Sequence, residues 1–230
     1  MPLLLLLMLG LGSSLKVHAG EKNLYDFLWL DPDKQVYVLQ NKVYQKKNSI
    51  YADIGYLTNI TSKFQDTSGI QLRGGYYFTE EFALELNFHN YSNSNNDDYR
   101  NVRLINSAEP FIRRLNSTYG VYAIWSPFYG KINTFNKIFY FDWSFGVGYQ
   151  RINAESNIDN VRNPLVDSKF KKESYNGIGA KTNVKFHINE HTHVGIEYHN
   201  TYYRAAGPKN PNSKKMKTNT DIVFSIGFSY

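Results

Sequence analysis

The chain has 230 residues, no cysteine and a formal charge of +6. That length suffices for one domain with a sizeable interior, and the missing cysteines exclude both a disulfide framework and a thiolate metal site. Its basic residues are spread along the whole chain rather than gathered in one stretch, which argues against a nucleic-acid partner, and an aromatic content of 16% with 19 Tyr is high for a soluble enzyme.

In chain order, Leu3, Leu4, Leu5, Leu6, Leu7, Met8, Leu9 and Leu11 form an apolar core, followed by Gly12, Ser13 and Ser14. Val17 and Ala19 are small residues at the two positions a signal peptidase reads, so residues 1–19 are expected to be a signal peptide. No Lys or Arg precedes that core, which suggests a longer basic region upstream. Residues 20–47 are expected to be a periplasmic segment, whose Leu24, Phe27, Leu28, Trp29 and Leu30 are suited to covering a barrel mouth or docking on a partner. No later apolar run is long enough for a transmembrane helix, so a membrane protein with this sequence has to be a closed barrel.

From residue 48 onward the chain alternates with period two. In the stretch 138–150, Phe139, Phe141, Trp143, Phe145, Val147 and Tyr149 oppose Asp142, Ser144, Gly146, Gly148 and Gln150. Successive side chains leave opposite faces of a pleated strand, so this pattern reads as strand. Eight such segments are expected, at 49–58, 69–79, 82–91, 117–126, 138–151, 174–188, 192–204 and 218–230. Tight turns at 79–81 and 189–191 alternate with long polar loops at 59–68, 92–116, 152–173 and 205–217, the arrangement of outer-membrane barrels. The 126–137 connection falls on the short-turn side and is longer than expected there. Glycines crowd the polar series (Gly55, Gly75, Gly120, Gly146, Gly148, Gly177, Gly179, Gly195, Gly227), which suits a narrow interior better than a solvated face. The expected class is all-β, an eight-stranded antiparallel up-and-down transmembrane β-barrel over residues 48–230. A soluble lipocalin-like barrel, with the apolar series inside, is the alternative facing.

The last strand alternates through Phe224, Ile226, Gly227, Phe228 and Tyr230. It resembles the insertion signal that the barrel-assembly machinery of outer membranes reads, an edge strand offered for β-augmentation. Two further stretches resemble a family described only as an outer membrane beta-barrel domain, found mainly in predatory and gliding Gram-negative bacteria. They are Gln35 to Tyr44 (QVYVLQNKVY), ahead of the first strand, and Pro127, Phe128, Tyr129, Gly130 and Lys131, which match a Pro-x-x-Gly-Lys turn between strands four and five. The resemblance implies the barrel fold. It implies no activity, and no site residues can be carried over from it.

With the polar series inward, the lumen receives Asp53, Arg73, Glu85, Asp142, Lys181, Lys185, Glu197 and Asp221, with His89, His187 and His199. Charges in so narrow an interior have to pair; the turns place Arg73 beside the strand of Glu85, and Lys181 and Lys185 beside that of Glu197. Two local pairs invite a catalytic reading, His199 with Thr201 and His89 with Ser92, yet neither forms a triad motif. His187, His191 and His193 straddle a turn and read as solvated rather than metal-binding. Lys209, Lys214, Lys215 and Lys217 in the last long loop are suited to lipopolysaccharide phosphates. The functional expectation is therefore a non-enzymatic structural or surface-interaction barrel without cofactor, whose partners are outer-membrane lipid, lipopolysaccharide and the assembly machinery. A narrow channel comes next, a lipid-modifying enzyme third and the lipocalin-like ligand binder fourth.

Overall fold

The computed structural model describes residues 42–106, 109–134, 137–162, 170–208 and 213–230. The expected signal peptide, most of the segment that follows it, and Lys209 lie outside the described residues. Eight strands run β1 (Ile50–Asn59), β2 (Gln65–Tyr77), β3 (Phe82–Asn95), β4 (Arg113–Thr134), β5 (Lys137–Ser156), β6 (Lys171–His187), β7 (Thr192–Ala206) and β8 (Lys214–Ser229). Each pairs with its sequence neighbours, and β1 pairs with β8 to close the ring. Among the described residues two helices sit in the long loops, α1 (Asp97–Asn106) and α2 (Ile158–Arg162).

Alternation dictates the facing. In β3, Phe82, Leu84, Leu86 and Phe88 are exposed, while Ala83, Glu85, Asn87, His89 and Tyr91 are buried. The same parity holds in β8, where Phe224, Ile226 and Phe228 lie outside and Asp221, Val223 and Ser225 inside. The apolar series thus forms the outer wall, which is opposite to a lipocalin-like barrel and corrects that alternative. An outward band of Ile, Leu and aromatic side chains is stable only where lipid replaces water.

The wall is longer than the sequence pattern suggests. Polar residues expected in loops continue the ladder, as in Gln65↔Asn95, Ser156↔Lys171 and Ala206↔Lys214. Period two in apolarity ends where the outer face stops being greasy, but hydrogen bonding needs no such pattern. Lys214, Lys215 and Lys217 consequently stand on β8, not in a loop.

The 126–137 stretch is the second correction. Its residues 126–134 continue β4 and residue 137 opens β5, with a register shift between Trp125 and Phe128 and pairing that resumes through Thr134↔Lys137. β3 begins at Phe82, opposite Trp125, so beyond that point β4 pairs with β5 alone, while β5 stays paired with β6 as far as Tyr140↔His187. Pro127 sits inside the register shift, where a missing N–H costs no ladder bond. The Pro127 to Lys131 motif is therefore the bulge and extension of β4 rather than a turn.

The tight turns owe their shape to side-chain acceptors. Thr79 Oγ1 accepts from the backbone of Phe82 at 3.0 Å, and Asn189 Oδ1 from Thr192 at 2.7 Å and His191 at 2.9 Å. At the other rim, Asn96 Oδ1 accepts from Tyr99 N at 3.1 Å and caps α1, with Asp97 and Asp98 in its first turn.

Candidate functional site

The interior is layered. Near the short-turn rim, Tyr51, Tyr77, Ala83, Tyr122 and Ile124 cluster; near the long-loop rim, Leu57, Tyr91, Leu115, Ile152, Tyr203 and Val223 do. Glycines make room for the larger rings. A Cβ on Gly148 would stand 2.6 Å from the Tyr122 ring, and one on Gly75 would stand 2.5 Å from that of Tyr51. Gly75, Gly148 and Gly179 are thus places where a neighbouring tyrosine occupies the lumen.

Between the two clusters lies an ionic layer. Arg73 donates from Nε to Asp53 Oδ2 at 2.9 Å, from Nη1 to Glu197 Oε2 at 2.6 Å and from Nη2 to Ser225 Oγ at 3.2 Å. Lys181 Nζ bridges Glu197 Oε2 at 3.0 Å and Glu85 Oε1. Tyr51 donates to the other Glu85 oxygen at 2.7 Å, and Gln71 Nε2 donates to Glu197 Oε1 at 2.8 Å. Lys185 Nζ lies 4.2 Å from the Tyr51 ring centroid, a cation–π contact. The chain is therefore Asp53–Arg73–Glu197–Lys181–Glu85. Arg73 and Glu85, expected to meet across the first turn, make no direct pair: Glu85 stands opposite Gly75, and the Arg73 fork turns to Asp53 and Glu197.

Toward the short-turn rim, Lys46 enters from the segment ahead of β1. Its Nζ donates to Asp142 Oδ1 at 2.6 Å and Ser126 Oγ at 2.8 Å. His187 Nε2 meets Asp142 Oδ2 at 2.7 Å, and Tyr44 stacks on His187 with centroids 4.7 Å apart. Nothing in the period-two pattern marks Lys46, because it precedes the first strand. Toward the long-loop rim, Asp221 accepts from Tyr91, Asn59 and Asn219 at 2.7, 2.6 and 3.1 Å. His89 Nδ1 lies 3.0 Å from Tyr91 Oη, and His199 Nε2 lies 2.9 Å from Tyr122 Oη.

The catalytic pairings fare differently. His89 faces inward and Ser92 outward, since three residues along a strand reverses the face, so they cannot meet. His199 and Thr201 share the inward face, but Thr201 Oγ1 has no hydrogen-bond partner, and both residues are sealed from solvent. Of the turn histidines, His187 and His193 each sit on a separate carboxylate, Asp142 and Asp53, while exposed His191 stacks against Phe228.

At the long-loop rim Lys214, Lys215 and Lys217 are exposed. A cavity of about 230 Å³ there is lined by Lys63, Phe64, Gln65, Phe111, Arg113 and Lys217. Arg113 pairs with Glu173 at 2.9 Å and Arg114 with Glu155 at 3.0 Å. On α1, burial and the neighbouring Glu109 carboxylate raise the Tyr99 hydroxyl above its usual range. Of the residues expected to form an insertion signal, Phe224, Ile226, Phe228 and Tyr230 are exposed. Gly227 faces inward, and the space of its absent side chain is taken by Asp53 and His193.

The model of the outer membrane protein beta-barrel domain matches residues 37–230. The chain belongs to that family, and it is an outer-membrane β-barrel. No curated protein matches its sequence. Among solved structures it is similar to the N-terminal β-barrel domain of Pseudomonas aeruginosa OprF, at 14% identity and a TM-score of 0.46, covering 81% of this chain and 100% of that one. Neisserial surface protein A is similar at 11% identity and a TM-score of 0.43, with 78% and 95% covered. The Yersinia pestis attachment invasion locus protein Ail, solved with the heparin analogue sucrose octasulfate, is similar at 10% identity and a TM-score of 0.39, with 80% and 99% covered.

Proposed function

We propose that this barrel is a non-catalytic surface protein of the outer membrane, whose interior is a structural brace and whose long-loop rim engages anionic lipopolysaccharide. The observation that carries the reading is the packed ionic layer. Arg73, Glu197, Lys181 and Glu85 are buried and linked by ion pairs, and a void lined by Arg73, Glu85, Lys181 and Lys185 measures about 10 Å³. That is at most room for one water, so neither a solute path nor a substrate chamber fits there. The apolar cluster around Leu57, Ile152 and Val223 closes the same lumen above it.

Exposed Lys214, Lys215 and Lys217 favour contact with phosphates at the rim, because cations at a membrane surface each contribute about 1 kcal/mol toward anionic headgroups. Lys209 extends that group in sequence. The long-loop rim then faces outward from the cell, and the residues ahead of β1 face the periplasm. The final strand, with Phe224, Ile226, Gly227, Phe228 and Tyr230, serves as the signal read by the assembly machinery. The test is binding of the folded protein to immobilised lipopolysaccharide. Replacing Lys209, Lys214, Lys215 and Lys217 by Gln should weaken binding and flatten its salt dependence; unchanged binding rejects the proposal.

A further inference from the structure

Asp221 differs from the other lumen carboxylates. Asp53, Glu85, Asp142 and Glu197 each pair with Arg73, Lys181 or Lys46. Among the described residues no Lys or Arg forms an ion pair with Asp221, although its side chain is fully buried. Its hydrogen-bond donors are the neutral Asn59, Tyr91 and Asn219. A buried carboxylate with only neutral partners lacks the charge compensation its neighbours have.

Two histidines flank it. The hydroxyl of Tyr122 donates to Gln150 Oε1 at 2.8 Å, so its oxygen is left to accept the Nε2–H of His199 at 2.9 Å. That fixes the His199 tautomer and leaves Nδ1 as a bare lone pair, buried and without a partner among the described residues. His89 Nδ1 lies 3.9 Å from Asp221 Oδ2. One ligand atom from each of His89, His199 and Asp221 falls within 4.8 Å of the others. Thr201, two residues beyond His199 on the same inward face, also carries a buried hydroxyl without a partner among the described residues.

We propose that His89, His199 and Asp221 form a binding site for one divalent transition-metal ion of the zinc class, inside the lumen and independent of the surface role. Two imidazole nitrogens and a carboxylate suit zinc rather than calcium or magnesium, which favour all-oxygen shells. Outer contacts of the expected kind are present. Tyr122 takes the second N–H of His199, while Tyr91, Asn59 and Asn219 orient Asp221. Tetrahedral zinc ligands stand about 3.3 Å apart, so the side chains close by on the order of 1 Å on loading. Gln71 Nε2 donates to His89 Nε2 at 3.0 Å, so the His89 proton stands on Nδ1 toward Tyr91. On loading it moves to Nε2, the Gln71 amide turns aside, and Nδ1 exchanges the Tyr91 hydroxyl for the ion. The bound charge compensates Asp221 and ties β3, β7 and β8 together just below the long-loop rim.

The experiment uses the untagged protein refolded in detergent micelles, stripped with a chelator and titrated with Co²⁺. One equivalent with the visible bands of low-coordinate cobalt, displaced by one equivalent of Zn²⁺, is the expected result. His199→Ala and Asp221→Asn should each abolish the bands, Tyr122→Phe should weaken binding about 10–100-fold, and His191→Ala should leave it unchanged. Folding of each variant is checked by the mobility difference between unheated and boiled protein. A wild-type protein that takes up no equivalent overturns the proposal outright, whatever the variants do. So does a spectrum that persists in folded His199→Ala or disappears in His191→Ala.

Discussion

The pair Arg73 and Glu197 offers the sharpest test of the braced lumen. Replacing Arg73 by Met leaves Asp53 hydrogen-bonded to His193 without its ion-pair partner, and leaves Glu197 with Lys181. Removing one member of a buried pair costs about 3–5 kcal/mol, because the partner charge stays behind without its counterion. Replacing Glu197 by Gln strands Arg73 and Lys181 on their second partners and should cost a similar amount. The double variant removes both halves of one bond, so its loss should fall short of the sum by about 2 kcal/mol, within the range for groups in direct contact. Urea unfolding in lipid vesicles, followed by the fraction of protein that migrates as the unheated form, supplies all four free energies. Additivity to within about 0.5 kcal/mol would refute the reasoning. It would mean that water enters and screens the lumen, and a lumen open to water could also pass ions.

Other consequences are smaller in scope. Gly179→Ala places a methyl 2.7 Å from Tyr122 Cε1 and in collision with its hydroxyl; a loss of about 1–3 kcal/mol is expected, partly recovered by adding Tyr122→Phe in the same unfolding assay. Leu86→Arg puts a cation on the outer apolar wall and should cost about 2–4 kcal/mol in vesicles if that position lies near the bilayer midplane; a neutral result would contradict the outward facing of β3. Lys46→Met frees the segment ahead of β1 from Asp142 and Ser126, so proteolysis there should accelerate while the unheated gel mobility of the barrel persists. In planar bilayers the wild-type protein should show no discrete openings, and regular openings would favour the channel reading.

What could be read from residues alone follows from what period two reports. Alternation marks the part of a strand that touches lipid, so all eight strands and their facing were legible, as in Phe82, Leu84, Leu86 and Phe88. It falls silent where a strand rises above the apolar band, which is why Gln65, Lys171 and Lys214 were expected in loops. It also misreads bulges, since one extra residue inverts parity; Ser126 and Pro127 broke the pattern and made a continuous strand resemble a long turn. Membership of the lumen could be read, because parity alone assigns Asp53, Arg73 and Glu197 to one face. Who bonds whom could not. Arg73 is one turn away from the strand of Glu85, yet its contacts run across the ring to Glu197, a choice made by barrel stagger and side-chain length. The inward apolar residues Leu57, Val223 and Ile152 were invisible for a related reason: within an alternating apolar stretch, an apolar residue on the polar face looks like noise.

The ring is shut by a single seam between distant parts of the chain. Ile50 and Tyr230 exchange two backbone hydrogen bonds of 2.8 Å, whereas every other pair of neighbouring strands is consecutive in sequence. Folding can proceed by local hairpin growth, with the entropy of bringing remote segments together concentrated in one late closure. The architecture is therefore indifferent to where the polypeptide begins. Linking residue 230 to residue 50 through a turn of two or more residues and opening the chain between β7 and β8 would keep the strand ladders but move Phe224, Ile226, Phe228 and Tyr230 from the last strand to the first. Such a permutant separates two properties that the natural order merges, the stability of the closed ring and the order in which a membrane receives its strands.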